Sequence, residues 1–212
     1  MILETNPTFI STVVFDLGRV LVNIDFDAFP RSLGIEADHV PGAHKQNVER
    51  LVVEYETGRI GTNRFVDGLE SALEHRFSRS DLLNAWNAII GEENVEMTPL
   101  VKAIQERYVT AILSNTSPSH FAKALRTAPI IGRISRRYLS YEIGAMKPSP
   151  AVFEHMVRDL GCAPSSILFI DDIAENVSTA ARFGIVSILF DGVGNLSEHL
   201  TQIGIFEQNR KK

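Results

Sequence analysis

A run of four β-branched or aromatic residues, Thr12-Val13-Val14-Phe15, leads directly into an acidic residue, Asp16. Such a run of β-branched and aromatic residues, without alternating polar positions, predicts a strand that is buried on both faces inside a parallel sheet. Open α/β sheets bind ligands at the carboxyl ends of their strands, and Gly18 allows the chain to turn tightly away from that end. Asp16 is therefore predicted to face a functional site.

Three later segments place polar residues after apolar ones in the same way: Ser114-Asn115-Thr116, Lys147-Pro148 and Asp171-Asp172. Together with Asp16 they supply a nucleophile, an anion-binding hydroxyl, a cation and a pair of acids suited to a metal. From Thr98 onward, strand and helix patterns alternate, with Ser117-Pro118 and Ser149-Pro150 as helix starts. This alternation predicts an α/β protein with a doubly wound, Rossmann-like parallel sheet.

Residues 23–95, called the insertion below, show helical spacing of apolar residues, and no strand is predicted there. One predicted helix is capped by Ser80 and carries Trp86, which we expect to pack in the insertion's own core. We expect the insertion to form a small α-helical cap after the first strand, and residues 1–22 and 96–212 to form the α/β core. A cap at this point can cover the carboxyl ends of the strands.

Composition excludes several classes of function. A net charge of −5 at pH 7 argues against a nucleic-acid-binding protein, because such proteins carry a basic surface. The chain has no apolar stretch long enough for export or for a membrane span, and its single cysteine, Cys162, fits a reducing compartment. These observations predict a cytoplasmic protein that binds neither nucleic acid nor membranes, and they leave the oligomeric state open.

The four motifs together resemble those of the haloacid dehalogenase (HAD) superfamily: Phe15-Asp16-Leu17-Gly18, Leu113-Ser114-Asn115-Thr116, Met146-Lys147-Pro148, and Asp171-Asp172 followed by Asn176. The resemblance extends from about Thr12 to Leu189. It is strongest with the bacterial alpha-D-glucose-1-phosphate phosphatase branch, and the N-terminal phosphatase domain of soluble epoxide hydrolase is similar. The resemblance implies a HAD core with a helical cap and a Mg²⁺-dependent hydrolysis of small phosphomonoesters, with sugar phosphates among the candidates.

The resemblance also implies a role for each motif residue in phosphoryl transfer. Asp16 would attack phosphorus to form an aspartyl phosphate, which divides one difficult hydrolysis into two steps. Ser114 and Lys147 would be catalytic and, with Asn115, would bind the phosphoryl group. His120 is expected to be a surface or packing residue rather than a catalyst.

A metal site is implied at the same place. Its Mg²⁺ ligands would be the Asp16 side chain, the Gly18 backbone carbonyl and Asp172, with Asp171 adjacent or bound through water. Helix capping by Asp171 and Asp172 is compatible with this role. The acid pair also speaks against a metal-independent 2-haloacid dehalogenase, which is one of two alternative functions.

The chain departs from the superfamily pattern at Gly18. Most phosphatases of this superfamily carry a second aspartate there, two residues after the nucleophile, which protonates the leaving oxygen and later activates water. Such acid–base assistance contributes about 10²–10⁴-fold to the rate. Asp25 is a candidate replacement for this aspartate. If no residue replaces it, the substrate has a good leaving group, or the protein binds phosphate ligands without turnover. Binding without turnover is the second alternative function. Polar residues near Asn23, Asp25 and Glu56–Arg59 are candidates for facing the substrate.

Overall fold

A computed structural model describes residues 9–35 and 42–206 of the protein. The two ends of the predicted core, residues 1–8 and 207–212, lie outside these ranges. The strands are β1 (Thr12–Phe15), β2 (Val22–Ile24), β3 (Ile90–Glu93), β4 (Val109–Ser114), β5 (Arg136–Leu139), β6 (Ile167–Asp171) and β7 (Val186–Leu189). The helices are α1 (Ala28–Leu33), α2 (Gly42–Glu56), α3 (Thr62–Ala72), α4 (Arg79–Ala88), α5 (Met97–Gln105), α6 (Pro118–Thr127), α7 (Pro129–Gly132), α8 (Ser140–Ile143), α9 (Pro150–Leu160), α10 (Ala174–Arg182) and α11 (Val193–Gln202).

Five parallel strands form the central sheet, in the order β5-β4-β1-β6-β7. The strand order reverses direction at β1, which lies in the middle of the sheet, so the predicted doubly wound α/β fold is confirmed. Because every strand runs in the same direction, the residues that follow β1, β4 and β6 meet at one edge.

Alternating side chains of the central strands enter two different hydrophobic clusters. Val13 and Phe15 of β1 pack in one cluster, with Ile112 and Ile170, whereas Val14 packs in the other. All three β1 side chains are fully buried. Helices cover both faces of such a sheet, and this explains why β1 has three successive apolar residues, Val13, Val14 and Phe15.

The helices of the insertion share a third hydrophobic cluster of their own. Tyr55, Phe65 and Trp86 form its aromatic centre, with the rings of Tyr55 and Phe65 stacked at a centroid distance of 4.4 Å. The expected packing of Trp86 inside the insertion is therefore present. The division into a core and a cap at residues 23 and 95 stays a prediction.

The prediction of no strand within the insertion is wrong at both of its ends. Strands β2 and β3 pair antiparallel into a two-stranded ribbon, with Val22 opposite Glu93 and Ile24 opposite Ile90. Beside the ribbon, the Asn94 backbone N–H donates to Leu21 O at 2.9 Å. These strands are three and four residues long, and β3 contains a glycine and two glutamates, so neither has a pattern that predicts a strand.

The predicted helix starts are right in two cases and wrong in a third. Ser117 caps α6 and accepts from the His120 backbone N–H, and Ser149 precedes Pro150 at the start of α9. In α4 the cap is Ser78 rather than Ser80, because Ser78 lies three residues before Asp81 and accepts its backbone N–H. Among the described residues, no helix has the length and apolar character needed to cross a membrane.

Candidate active site

The carboxyl ends of β1, β4 and β6 bring the predicted site residues together. A cavity of about 460 Å³ opens at this edge of the sheet, beneath the insertion. It is lined by six of the eight predicted site residues: Asp16, Gly18, Ser114, Asn115, Lys147 and Asp172. The seventh, Asp171, contacts Lys147, and the eighth, Asp25, does not line the cavity.

Lys147 lies at the centre of this charged cluster. Its Nζ donates to Asp16 Oδ1 and to Asp171 Oδ2, each at 2.6 Å. The lysine side chain is 2% exposed, and those of Asp16 and Asp171 are 10% and 0% exposed. A buried charge is tolerated only when it is paired, so the two carboxylates fix the position of the ammonium group.

Asn115 holds the backbone of Lys147 in place. Its Oδ1 accepts from the Lys147 N–H at 2.7 Å, and its Nδ2 donates to the Lys147 carbonyl at 2.8 Å. The role of Asn115 in binding phosphate stays a prediction. The structure adds a second role, because Asn115 fixes the loop that carries Lys147. These two residues are 32 positions apart, so the sequence gives no sign of the contact.

Asp171 is saturated by hydrogen bonds. Besides Lys147, its donors are the Ile173 backbone N–H at 2.8 Å and Asn176 Nδ2 at 2.9 Å, both to Oδ1. Asn176 is itself buried on α10. With its oxygens occupied in this way, Asp171 is better suited to orient Lys147 than to bind a metal directly.

Burial sets the protonation of the cluster. Loss of hydration raises the pKa of Asp16 to about 6, and the nearby charge of Lys147 opposes that shift. Burial by itself would lower the pKa of Lys147, but the negative charges of Asp16 and Asp171 outweigh it and raise that pKa. Lys147 therefore stays charged in the apolar interior.

Oxygen ligands for a metal converge beside this ion pair. Asp16, Asp171 and Asp172 each offer one carboxylate oxygen, and these oxygens lie within 4.8 Å of one another. Gly18 lines the same cavity, and its carbonyl accepts no hydrogen bond from the described residues. Of the three carboxylates, Lys147 contacts two, and the one partner that Asp172 has among the described residues is the exposed Arg19, at 3.5 Å. The donor set fits a hard divalent cation.

Ser114 ends β4 inside the cavity and is 3% exposed. Its hydroxyl donates to the Asn115 carbonyl at 3.3 Å, a long hydrogen bond that a phosphate oxygen can replace. Its role in binding the phosphoryl group stays a prediction, which this position supports.

Asp25 lies outside the cavity, and its surroundings argue against the predicted role in acid–base catalysis. Its half-exposed carboxylate pairs with Arg31, and this hydrogen bond lowers the pKa of Asp25. A catalytic acid at neutral pH needs the opposite shift. The competing contact was not visible in the sequence because it depends on how α1 follows β2.

Residues of the insertion form the roof of the cavity, and the motifs do not predict most of them. The roof consists of Ile24, Phe26, Val52, Glu56, Trp86, Ile89 and Ile90. Glu56 belongs to the polar group expected to face the substrate. Four apolar members have only the helical spacing that also signals core packing: Val52, Trp86, Ile89 and Ile90. Trp86 both packs in the hydrophobic cluster of the insertion and lines the cavity. Its indole N–H also donates to Ser117 Oγ, at the start of α6, at 3.3 Å.

His120 is a packing residue, as expected, although it also touches the cavity. Its ring stacks on Trp86 at a centroid distance of 4.3 Å, and its Nε2 lies 2.8 Å from the Trp86 carbonyl. Burial lowers the pKa of His120 to about 4, so the ring is neutral at pH 7 and donates through Nε2.

This histidine should make the protein less stable in acid. Its pKa is about 4 in the folded state against an ordinary 6.5, so between these values the unfolded chain binds the extra proton. Stability then falls as pH falls, by about 2 kcal/mol between about pH 7 and pH 5. Urea unfolding of the wild type and of His120→Gln at both pH values tests this, because carboxylate effects are common to both proteins. Equal losses in the two proteins would contradict it.

Comparison with known proteins places this site in a family. Residues 10–184 match the family model described as haloacid dehalogenase-like hydrolase. The chain belongs to this family. The predicted superfamily is therefore confirmed, and the protein is a HAD-like hydrolase.

Individual relatives of this HAD-like hydrolase cover most of its length. D-ribitol-5-phosphate phosphatase of Bacteroides thetaiotaomicron is 26% identical over 203 residues, which cover 92% of this chain and 98% of that protein. Bifunctional epoxide hydrolase 2 of Mus musculus is 22% identical over 209 residues, 89% of this chain and 38% of that protein.

Among solved structures, a HAD family enzyme from Bacteroides thetaiotaomicron has a TM-score of 0.82 and 26% identity, covering 91% of this chain and 98% of that chain. A complex of a HAD family enzyme from the same organism with magnesium and inorganic phosphate has a TM-score of 0.76 and 26% identity. The match covers 88% of this chain and 98% of that chain.

Proposed function

We propose that this HAD-like hydrolase is a Mg²⁺-dependent phosphatase of small phosphomonoesters, with sugar and polyol phosphates as first candidates, and that Asp16 forms an aspartyl phosphate. The observation that carries the proposal is the position of Lys147 between Asp16 and Asp171, beside Asp172. The relative named as a ribitol-5-phosphate phosphatase and the neighbour crystallised with magnesium and phosphate support it.

Each side chain has a definite task in this reaction. One carboxylate oxygen of Asp16 attacks phosphorus while the bond to the leaving oxygen breaks. Lys147 holds the other oxygen, Oδ1, which orients the nucleophile, and its charge stabilises the negative phosphoryl oxygens. Ser114 donates a hydrogen bond to the same oxygens. Water then attacks the aspartyl phosphate, releases phosphate and regenerates Asp16.

The metal would be held by Asp16, Asp172 and the Gly18 carbonyl, with Asp171 adjacent. Lys147 carries one positive charge against three carboxylates, so the site has an excess of negative charge that suits a divalent cation. When bound, Mg²⁺ supplies the charge that removes the repulsion between Asp16 and a substrate phosphate.

Removal of divalent ions is expected to abolish phosphate release. The test uses a panel that includes ribitol 5-phosphate, glycerol 1-phosphate and sugar phosphates, assayed with Mg²⁺, with chelator, and with Mg²⁺ restored. Since a metal at such a site contributes several kcal/mol, we expect a loss of at least about 10³-fold that Mg²⁺ reverses.

The same assay separates the proposal from its alternatives. A 2-haloacid dehalogenase would release halide from 2-chloropropionate and would not respond to the chelator. A protein that only binds phosphate ligands would release nothing, although phosphate with Mg²⁺ would raise its melting temperature. Either result would overturn the proposal.

A further inference from the structure

We infer that Glu56 is the acid and base of this site, which protonates the leaving oxygen and then activates the water. The inference rests on the proposed phosphatase function. Its first support is the lining of the cavity, because Glu56 is the one ionisable side chain among the described roof residues. Every other member of the roof is apolar or aromatic, so a carboxylate there is costly unless it has a task.

The site lacks such a group at its usual position, because residue 18 is a glycine in tight surroundings. A Cβ added at Gly18 would lie 3.2 Å from Ile24 Cγ1 and 3.5 Å from Ile24 Cδ1. A side chain at residue 18 would therefore press on the side chain of Ile24. An acid for an alkyl phosphate would then come from another element that borders the cavity.

Contacts with the core hold Glu56 at the roof. It is the last residue of α2, and the turn that follows packs tightly on the core at Gly58, where an added Cβ would lie 2.1 Å from the Tyr141 carbonyl oxygen. Tyr55 is fully buried, and its hydroxyl accepts from the Ser119 backbone N–H at 3.3 Å. The end of α2 is thus docked on the core from both sides of Glu56.

The surroundings of Glu56 suit proton transfer. The residue is half-buried, and no described residue forms an ion pair or hydrogen bond with its carboxylate. Burial raises the pKa of Glu56 to about 7, within the range in which one group can both donate and accept a proton. The other ionisable groups that line the cavity are Asp16, Arg19, His120, Lys147 and Asp172.

None of those groups is placed to do the same work. Asp16 and Asp172 are assigned to the nucleophile and the metal, and Lys147 is held between two carboxylates. Arg19 has no carboxyl group and pairs with Asp172 at 3.5 Å. His120 is neutral because burial lowers its pKa to about 4. Asp25, outside the cavity, is engaged by Arg31.

The proton balance is simple. As Asp16 bonds to phosphorus and the phosphorus–oxygen ester bond breaks, the Glu56 carboxylic acid gives its proton to the leaving oxygen, and an alcohol departs. The resulting carboxylate takes a proton from water as that water attacks the aspartyl phosphate. Phosphate leaves, and both Asp16 and the protonated Glu56 are restored.

The test compares wild type, Glu56→Gln, Glu54→Gln and Asp25→Asn on two substrates. One is ribitol 5-phosphate, or the best alkyl phosphate of the panel; the other is p-nitrophenyl phosphate, whose leaving group departs without a proton. For Glu56→Gln we expect kcat on the alkyl phosphate to fall about 10²–10⁴-fold. With p-nitrophenyl phosphate we expect a burst of one nitrophenolate per enzyme, followed by slow turnover and a phosphorylated protein visible by intact mass.

The controls make each outcome decisive. Glu54 lies on the same helix, paired with Arg50, and Glu54→Gln should behave as wild type. Any of four results would overturn the inference. Glu56→Gln could show wild-type kinetics, a rise in KM alone, or an equal loss on both substrates without a burst. The fourth is a loss of activity in Asp25→Asn instead of Glu56→Gln. Recovery of Glu56→Ala activity with added formate is expected, and it tests the role in a second variant. A wild type that releases no phosphate would refute the proposed function itself.

Discussion

Asp16→Asn is expected to lower phosphate release by about 10⁴-fold or more, because an amide cannot attack phosphorus and the covalent route is lost. The substitution hardly changes the size of the side chain, and the amide oxygen can still accept from Lys147, so the fold should persist. Steady-state phosphate release with Mg²⁺ gives the rate. Acid quench and intact mass should show a phosphorylated protein in the wild type and none in the variant.

Asp27→Asn provides a matched control for the loss of one carboxylate. Asp27 is exposed at the start of α1, and its side chain does not cap that helix. The Asp27→Asn variant should retain wild-type activity. Turnover by Asp16→Asn within about tenfold of wild type would mean that residue 16 is not the nucleophile.

Lys147→Met should cause the second large effect, on stability as well as on rate. Methionine fills a similar volume, but it leaves Asp16 and Asp171 buried next to each other without the cation. Removing one partner of a buried pair typically costs about 3–5 kcal/mol. In chelator, urea unfolding should show a loss of this size, smaller when Mg²⁺ is present. Phosphate release should fall about 10³-fold or more, since a charge facing the transferring phosphoryl group is gone.

Two further variants test the interpretation of that result. Lys102→Met removes an exposed lysine of α5 and should change stability little. Lys147→Arg keeps the charge but places a larger, planar group between carboxylates that each lie 2.6 Å from Nζ, so it should restore activity only in part. Full activity in Lys147→Met would show that the ion pair is structural only.

The sequence predicts the sheet and the convergence of Asp16, Lys147 and Asp171 for a clear physical reason. Strands buried on both faces have a strong apolar signal, and parallel strands place their carboxyl ends at one edge. Once β1, β4 and β6 are recognised, the residues that follow them must meet. The position of Lys147 follows less directly, because Asn115 fixes it across 32 residues.

Features that depend on the environment of a side chain were not predictable in this way. Nothing in the sequence around Asp25 shows that Arg31 engages it, and nothing around Glu56 shows that its carboxylate is desolvated. Strands β2 and β3 owe their existence to pairing with each other rather than to local propensity. In each case the decisive contact comes from a different element, which a local pattern cannot contain.

The ribbon of β2 and β3 joins the two ends of the insertion. The chain enters the ribbon after Leu21 and leaves it at Asn94, and these two residues are joined by a backbone hydrogen bond. Because Leu21 and Asn94 are so close, residues 22–93 can differ in length and sequence without any change in the path of the five central strands. Changes in that stretch would therefore alter the lining of the roof and, through Glu56, the proposed acid–base step, whereas Asp16, Lys147 and Asp171 lie outside it.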